Sequence, residues 1–247
     1  MASIPRWLNP ANSKAVMYAA DAELQSTDTS TISVFLGQDF APGWFGWIIP
    51  LDAGTCRVGT GFAQVQPECS PQRYFQQLEN SYPQIFKDLK VIRYTGGTVP
   101  LGLMSKIYSS HAMLVGDAAS QTKPISGGGI YMGLRGAKIC GQIAVEALNE
   151  GDLSETKMSC YQKLWEKDMG EEIISAMAHR ESFLDFSNED IDLIIRFLSK
   201  PQCQELLLKY GDIDYPSHLA KKLFDFGPWK NSFLKVALKI ADYANLM

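Results

Sequence analysis

One carboxylate in this chain stands where ligand-binding chemistry is expected. Asp117 follows Gly116 and the short apolar run from Ala112 to Val115. Such a run is typical of a strand that is buried on both faces, so Asp117 is predicted to lie just past the strand's carboxyl end. In open α/β sheets ligands collect at that edge, where a carboxylate can accept hydrogen bonds from ribose hydroxyls. Gly116 would let the backbone come close to such a ligand.

Three successive glycines, Gly127 to Gly129, precede a helix that is predicted to begin at about Ile130. The first backbone N–H groups of a helix have no partner inside the helix, and glycines leave them uncovered. A helix N terminus carries roughly half a positive charge, so this position suits an anionic ligand. The plain alternative is a glycine-rich surface loop in front of a tightly packed helix.

The predicted helix has one face made of small side chains. Each glycine inside a helix costs roughly 1 kcal/mol relative to alanine, so several glycines need a structural reason. Close approach to a sheet or to a flat ligand would be such a reason. The small residues recur at spacings of three and four: Gly133, then Gly136 or Ala137, then Cys140 or Gly141, then Ala144.

The stretch that carries these features reads LVGDAASQTKPISGGGIYMGLRGA. It resembles the second flavin-binding motif of FAD-dependent reductases and hydroxylases built like para-hydroxybenzoate hydroxylase, and its triple glycine resembles the geranylgeranyl reductase branch. The resemblance implies FAD as cofactor, with Asp117 at its ribitol or pyrophosphate region. The helix dipole would stabilise the anionic reduced flavin. The cofactor-binding residues that it implies are Gly116, Asp117, Pro124, Gly127, Gly128, Gly129 and Ile130.

Three aromatic residues crowd residues 42–50, which read PGWFGWIIP. Strand alternation predicts Phe45 and Trp47 on one face, with Trp44 and Gly46 on the other. The simplest role for these rings is to fill the buried side of a sheet.

The same segment is similar to the Pro-x-x-Tyr-x-Trp-x-Phe-Pro signature of the geranylgeranyl reductases, whose aromatics line the lipid cavity beside the flavin. Trp47 and both prolines match, whereas Phe45 replaces the family's tyrosine and Ile49 its phenylalanine. Without the phenol, a polar role at Phe45 is not expected. The resemblance implies substrate binding by Pro42, Phe45, Trp47 and Pro50.

The composition excludes several classes of protein. The chain has 247 residues, of which 46% are hydrophobic, and its net charge of −4 argues against a nucleic-acid partner. Five scattered cysteines without Cys-x-x-Cys spacing indicate reduced thiols and the cytoplasm. No apolar run approaches the roughly 20 residues that cross a bilayer, so any membrane contact is expected to be peripheral.

The first half of the chain is predicted to be β structure, with a hairpin at residues 52–54. A helix capped by Ser70 and started by Pro71 is expected to run to Tyr82. The predicted strands are Ala15–Leu24, Thr31–Gly37, Trp44–Leu51 and Thr55–Ala63, followed by a β-rich segment at Lys90–Pro100.

After Gly151 the chain is predicted to be helical throughout. Ser154 is expected to cap a long stretch to about Phe183, and Ser187 with Asp190 resembles a capping box. Further helical segments are predicted from Pro201 and over Trp229–Met247.

We therefore predict an α+β fold. An antiparallel, mainly β substrate-binding domain is expected at residues 1–111, and the closing part of an FAD-binding α/β domain at 112–150. A helical C-terminal domain would follow at 151–247.

The resembled architecture opens with a strand, a Gly-x-Gly-x-x-Gly turn and a helix, and no such fingerprint precedes Ala112. The chain thus resembles the C-terminal two-thirds of a reductase, whether by truncation or by gene splitting, and the missing N-terminal dinucleotide-binding polypeptide is an expected partner. The resemblance also places the family's reactive cysteine in that other part. Its role is therefore not expected for Cys56, Cys69, Cys140, Cys160 or Cys203.

No side chain is assigned a catalytic role, and no metal site is predicted. The three histidines, His111, His179 and His218, are too far apart in sequence for a helical metal-binding pair. The acidic pairs Glu171-Glu172 and Asp190 with Asp192 are interpreted as solvated helix faces.

The resemblance implies an FAD-dependent reductase that saturates double bonds of geranylgeranyl chains in archaeal-type ether lipid biosynthesis, with a prenyl lipid substrate and an electron donor. Because such a double bond is unactivated, the protein would mainly position it over the flavin and exclude water. Two alternatives stay open. A non-catalytic lipid-binding fragment or partner subunit is favoured by the absent fingerprint, and a flavin monooxygenase of the same superfamily is disfavoured by the aromatic segment.

Overall fold

The structure is a computed structural model that describes residues 13–24, 31–51, 54–63 and 70–217. It divides into two compact units. The sheet unit comprises Lys14–Val99 and Phe183–Asp192, and the helical unit comprises Pro100–Ser182 with the described residues from Leu193 onward. The division into three domains that the sequence suggests stays a prediction.

The sheet unit is built on five strands: β1 (Ser13–Glu23), β2 (Ser33–Phe35), β3 (Gly46–Pro50), β4 (Thr55–Ala63) and β5 (Lys90–Leu101). Their spatial order is β2-β3-β4-β1-β5, and β1 to β4 pair antiparallel. Pro50 lies opposite Cys56, which confirms the hairpin predicted between β3 and β4.

Two strands are shorter than the sequence predicts. β2 keeps only three residues of the expected Thr31–Gly37, and β3 starts two residues after Trp44. Between them the backbone turns, because Trp44 N donates to Ala41 O at 2.9 Å and Gly43 has a φ of +65°. That left-handed conformation suits glycine and interrupts an extended chain.

One face of this sheet packs on two helices, α1 (Pro71–Ser81) and α2 (Pro83–Phe86). Ser70 Oγ accepts a hydrogen bond from Arg73 N at 3.3 Å, which confirms the predicted N-cap. The buried core between sheet and helices includes Ile48, Val58, Phe75, Leu78 and Phe86.

The second half of the chain is mainly helical, as predicted. It begins with a two-stranded antiparallel sheet of β6 (Tyr108–Ser109) and β7 (Ala112–Met113), followed by a 3-10 helix (Gly116–Ala119). The helices are α3 (Ile130–Glu150), α4 (Glu155–Trp165), a π-helical turn (Glu166–Gly170), α5 (Glu171–Leu184), α6 (Asn188–Leu198) and α7 (Pro201–Tyr210).

The core of the helical unit lies between α3 and the continuous run of α4, the π-helical turn and α5. Its buried side chains include Met132, Ile143, Met158, Trp165, Met169 and Ile173. These apolar side chains recur at helical spacing on the facing sides of the helices, as buried amphipathic faces do.

The predicted helix ends are largely confirmed. Gly151 ends α3 in the left-handed conformation, and Ser154 Oγ accepts from Lys157 N at the start of α4. Ser187 and Asp190 form the predicted capping box, because Ser187 N donates to Asp190 Oδ2 at 3.2 Å and Asp190 N donates to Ser187 Oγ at 3.2 Å. Asp190 is buried, so its assignment to a solvated face is wrong.

The strand predicted over Ala112–Val115, buried on both faces, is also wrong. Only its first two residues form β7, and these four side chains are half-buried. A strand of a parallel sheet needs neighbours on both sides, whereas among the described residues β6 alone pairs with β7. Asp117 therefore lies in a 3-10 helix and not at the edge of an open sheet.

None of the helices in the described ranges is long and apolar enough to cross a membrane. The predicted helical repeat at Trp229–Met247 lies outside the described residues, as does His218.

Candidate functional site

Two of the predicted cofactor-binding residues, Asp117 and Gly129, lie against each other. Asp117 is in the first turn of the 3-10 helix, and Gly129 is the N-cap residue of α3. A Cβ atom at Gly129 would stand 3.0 Å from Asp117 Oδ1. The Asp117 side chain is exposed, so its carboxylate is open to a ligand at the N terminus of α3.

The loop between these two residues has a defined shape. Gly127 N donates to Lys123 O at 2.8 Å, and Lys123 N donates to Gly128 O at 3.1 Å. Gly127 has a φ of +72°, a conformation that favours glycine. The N terminus of α3 has no side-chain cap, so its first backbone N–H groups can donate hydrogen bonds to an anion.

The other predicted cofactor-binding residues are spread around this loop. Pro124 is buried, Gly128 is half-buried, and Ile130 at the first position of α3 is 83% exposed. Gly116 has a φ of +69°, and a Cβ atom there would meet nothing within 4 Å. The structure thus brings the predicted residues to one end of α3, and their binding role stays a prediction.

Gln121 is the main residue of this site that the sequence did not reveal. Its side chain is fully buried, and its Oε1 accepts from Gly116 N at 2.8 Å. Its Nε2 donates to the Tyr161 hydroxyl at 2.7 Å, and that hydroxyl donates to Leu114 O at 2.7 Å. Burial raises the pKa of Tyr161, so the phenol stays a neutral donor. This network holds the backbone on which Asp117 stands.

Gln121 also explains one glycine of the small-faced helix. A Cβ atom at Gly136 would stand 2.1 Å from Gln121 Oε1, so a larger residue there would displace the Gln121 amide from its hydrogen bonds. At Gly133 the nearest atom would be Gly116 Cα at 3.5 Å, which is ordinary contact. At Gly141 a Cβ atom would meet nothing within 4 Å. Of these three glycines, the packing therefore requires a small residue only at Gly136.

An ion pair ties the loop to the segment after α7. Lys123 Nζ lies 2.8 Å from Asp214 Oδ1, and both side chains are largely shielded from solvent. Beside the pair is an apolar cavity of about 90 Å³, lined by Pro124, Met132 and Ile213 among others. This volume is well below the roughly 300 Å³ of the smallest typical ligand pockets, so the cavity is too small to hold a flavin or a prenyl chain.

A second polar network starts one residue after Ile130. Arg135 Nε donates to Asp168 Oδ2 at 2.8 Å, and its Nη1 donates to the Tyr131 hydroxyl at 3.1 Å. The Tyr131 and Tyr215 hydroxyls are 3.0 Å apart, and this hydrogen bond is the main reason why the pKa of Tyr215 rises to about 12. The network joins the first turns of α3 to the π-helical turn.

In the sheet unit the Phe45 ring packs beside both tryptophan rings of residues 42–50. The Trp44 and Phe45 ring centroids are 5.7 Å apart, and those of Phe45 and Trp47 are 5.9 Å apart. Both tryptophans are buried, whereas Phe45 is half-buried. Pro42 and Pro50, at the ends of the segment, are also half-buried.

The predicted placement of Trp44 on the face opposite Trp47 is wrong. A Cβ atom at Gly59 would stand 2.4 Å from Trp47 Cζ2, and one at Gly61 would stand 2.4 Å from Trp44 Cδ1. These glycines are two residues apart in β4, so both tryptophan rings lie on one face of the sheet. The alternation of side chains between the two faces of a strand does not apply to Trp44, because β3 begins at Gly46.

The comparison with known proteins matches residues 12–99 to the geranylgeranyl reductase catalytic domain, and this range contains the aromatic segment. A digeranylgeranylglycerophospholipid reductase from Methanosarcina acetivorans is 31% identical over 183 residues, which are 73% of this chain and 45% of the relative. The chain belongs to the geranylgeranyl reductase family.

This chain spans about half the length of the curated relatives that it matches in the family. An uncharacterized protein of Methanocaldococcus jannaschii is 33% identical over 197 residues, which are 79% of this chain and 49% of that relative.

A solved structure supports the fold of this geranylgeranyl reductase family member. The geranylgeranyl bacteriochlorophyll reductase-like protein from Thermoplasma acidophilum superposes with a TM-score of 0.71 at 23% identity, over 87% of this chain and 55% of that chain. The predicted α+β class, with an antiparallel sheet followed by a helical region, is confirmed.

The geranylgeranyl reductase family is FAD-dependent, and the residues present here fit that cofactor. The open space at Gly116 and the absence of a Cβ atom at Gly129 leave bare backbone on either side of the Asp117 carboxylate. A carboxylate suits ribitol hydroxyls, and an uncapped helix N terminus suits negative charge. These residues would hold part of the flavin.

No group of metal-ligating side chains occurs within the ranges that the structure describes. Cys56 and Cys203 are buried, and Cys140 and Cys160 are half-buried. Burial raises the pKa of the Cys140 thiol, which makes it a poor nucleophile at neutral pH.

Glu172 accepts hydrogen bonds from Ser217 N and Oγ, so it is not the purely solvated carboxylate that the sequence suggested.

Proposed function

We propose that this chain supplies the lipid-binding sheet and one flavin-binding segment of an FAD-dependent reductase. Its reaction would saturate isolated double bonds of geranylgeranyl chains in ether-lipid precursors. Membership of the geranylgeranyl reductase family and the name of the Methanosarcina acetivorans relative support this proposal.

The observation that carries the proposal is the close approach of the Asp117 carboxylate to Gly129, where an added Cβ atom would stand 3.0 Å from Asp117 Oδ1. Two segments twelve positions apart place an exposed carboxylate beside an uncapped helix N terminus, as a flavin-binding motif requires. A lipid-binding protein without a flavin has no need of this combination.

Reduced FAD, when bound, supplies a hydride to one carbon of the double bond, and the other carbon takes a proton. Asp117 would orient the cofactor through its hydroxyl groups. The N terminus of α3 would stabilise negative charge on the flavin. Phe45 is the most accessible of the three aromatic rings, so it would contact the prenyl chain while Trp47 supports it.

The proposed partners are a prenyl lipid, an electron donor and a polypeptide that carries the Gly-x-Gly-x-x-Gly fingerprint. The proposed site of action is the cytoplasm, with peripheral contact to the membrane that holds the lipid. The partners are those that the family resemblance implies, and the cytoplasm is proposed because the five cysteines are scattered without Cys-x-x-Cys spacing.

The test uses this chain together with the part of the Methanosarcina acetivorans relative that this chain does not match. We expect this chain alone to purify without FAD and the mixture to retain it. With a chemical reductant and digeranylgeranylglycerophospholipid, mass spectrometry should then show two added hydrogens for each saturated bond.

Two results would contradict the proposal. If the chain alone were yellow and released FAD on denaturation, the view that its flavin site is incomplete would be wrong. If the FAD-loaded mixture bound the lipid and left every double bond intact, the chain would be a lipid-binding component rather than part of a reductase.

A further inference from the structure

Lys123 holds the loop that precedes α3 through both its backbone and its side chain. Its N–H group donates to Gly128 O at 3.1 Å, and its carbonyl oxygen accepts from Gly127 N at 2.8 Å. Its side chain turns back over the same loop, because a Cβ atom at Gly128 would stand 2.7 Å from Lys123 Cε and 3.3 Å from Lys123 Nζ. The ammonium group therefore lies directly beside the glycine run.

The Lys123 ammonium is also shielded from water. The side chain is 13% exposed, and its Nζ lies 2.8 Å from Asp214 Oδ1. Water and salt screen a shielded charge much less than they screen a charge in open solvent. Its electrostatic effect on a ligand at the glycine run is therefore larger than that of an ordinary surface lysine.

Asp214 offsets this positive charge only in part. Every Asp214 atom lies farther than Lys123 Nζ from the point where a Gly128 Cβ atom would stand, so the positive end of the ion pair is nearer the loop. Asp214 is itself held in place, because Asp212 Oδ1 accepts from Asp214 N at 2.8 Å and from Tyr215 N at 3.2 Å. The segment after α7 therefore determines how strongly the charge of Lys123 acts on the loop.

A positive charge at this position bears on flavin chemistry, because Gly127 to Ile130 are predicted to bind the flavin. Two electrons and one proton convert oxidised flavin into its anionic reduced form, so the flavin gains one negative charge. The electrons come from the electron donor of the proposed function. A fixed positive charge beside the flavin stabilises the reduced form more than the oxidised form.

We propose that Lys123 raises the reduction potential of the bound flavin and that Asp214 moderates this effect. The inference rests on the proposed function and adds the residues that regulate the flavin of that site. A higher potential makes the reduced flavin easier to form but a weaker hydride donor. The Asp214 carboxylate opposes the ammonium, so the pair keeps the reduced flavin able to act on an unactivated double bond.

The experiment measures the midpoint potential of FAD in a complex of this chain with the part of the Methanosarcina acetivorans relative that this chain does not match. Dithionite is the reductant, and a dye of known potential is the reference. Lys123→Met should lower the potential, and Asp214→Asn should raise it. Each change should alter the ratio of affinities for reduced and oxidised FAD on the order of tenfold, as one charge several ångströms away does at an effective dielectric constant of about 20.

Lys157 offers a matched control at the opposite end of α3. Its side chain is 15% exposed, and its Nζ lies 2.9 Å from Glu150 Oε1. Lys157→Met removes a similarly shielded ion pair that is remote from the glycine run, so it should leave the potential at the parent value. Lys123→Arg keeps the positive charge and should bring the potential back toward that of the parent.

A purely structural role of Lys123 leads to a different result. A disordered loop would bind oxidised and reduced FAD equally weakly, and the potential would not move. Potentials that shift in opposite directions in Lys123→Met and Asp214→Asn would therefore support the inference. Unchanged potentials, or shifts of the same sign, would overturn it.

Hydrogen exchange on this chain alone checks the loop without the cofactor. The Gly127 amide donates to a backbone carbonyl, so it should exchange at the parent rate in Lys123→Met. Faster exchange in that variant would assign the Lys123 side chain to loop structure and would count against the inference.

The same complex separates this inference from the proposed function. Opposite shifts in potential without reduction of the prenyl lipid would support the role of Lys123 and refute the reductase activity. Reduction of the lipid with unshifted potentials would support the activity and refute the role of Lys123. A complex that retains no FAD would refute both.

Discussion

Asp117 and Gly129 approach each other so closely that one added carbon at residue 129 would stand 3.0 Å from the Asp117 carboxylate oxygen. They belong to different elements, the 3-10 helix and the N-cap of α3. Because they lie side by side, one surface carries both the Asp117 carboxylate, a hydrogen-bond acceptor, and the exposed backbone at Gly129.

Replacing the Asp117 carboxylate should weaken FAD binding without unfolding the protein. A hydrogen bond that involves a charged group contributes roughly 1.5 to 3 kcal/mol, which corresponds to about 10- to 100-fold in affinity. We therefore expect Asp117→Ala, in complex with the part of the Methanosarcina acetivorans relative that this chain does not match, to bind FAD about 10- to 100-fold more weakly in a fluorescence titration. The exposed side chain leaves the fold intact.

The control for this change is Asp152→Ala, at the opposite end of α3. Asp152 is an exposed carboxylate that accepts a hydrogen bond from Ser154 N at 2.9 Å. Its replacement should leave FAD affinity within about twofold, as ordinary surface changes do. If Asp117→Ala bound FAD as well as the parent, this carboxylate would have no part in the flavin site.

Adding a methyl group at residue 129 should displace the same carboxylate. Gly129 has φ and ψ near −102° and −20°, which alanine adopts without strain, so Gly129→Ala should change the free energy of unfolding by less than about 1 kcal/mol. FAD affinity should fall several-fold because Asp117 has to move. Gly170→Ala is the control, since its Cβ would meet nothing nearer than 3.6 Å. Equal losses of affinity in both variants would show that the effect is not specific to Asp117.

Two glycines of α3 should respond to alanine in opposite directions. At Gly141 the Cβ atom meets open space, so Gly141→Ala should stabilise the isolated chain by about 0.5 to 1 kcal/mol through helix propensity. At Gly136 the Cβ atom would stand 2.1 Å from Gln121 Oε1, so Gly136→Ala should destabilise it by about 1 to 3 kcal/mol. Urea unfolding of both variants measures the difference. A gain in stability at Gly136 would mean that Gln121 does not fill this space.

Alanine substitutions in the aromatic segment should distinguish Trp47, which supports packing, from Phe45, which is proposed to bind the lipid. Trp47 is buried with its ring over Gly59, so Trp47→Ala should lower the free energy of unfolding by about 3 to 5 kcal/mol. Phe45 is half-buried, so Phe45→Ala should cost less stability and instead weaken prenyl-lipid binding. Chemical denaturation and lipid titration on each variant compare the two effects. Normal lipid affinity in Phe45→Ala would remove this residue from the proposed lipid site.

The sequence alone determined the features that depend on residues close together in the chain. Ser70 and Pro71 start α1, Gly151 ends α3 and Ser154 starts α4, where the sequence predicts them. A cap is decided by hydrogen bonds that span three or four residues, so the local pattern is sufficient.

Only the tertiary structure decided which side chains share a site. Gln121 lies under Gly136 because Tyr161, forty positions later, holds its amide, and Lys123 is anchored by Asp214, ninety-one positions away. The strand expected at Ala112–Val115 is short because a strand needs a neighbour, which its own residues do not specify. The exposure of Leu134 and Val145 on α3 depends likewise on what packs beside the helix, whereas the sequence shows only that apolar residues lie on two of its faces.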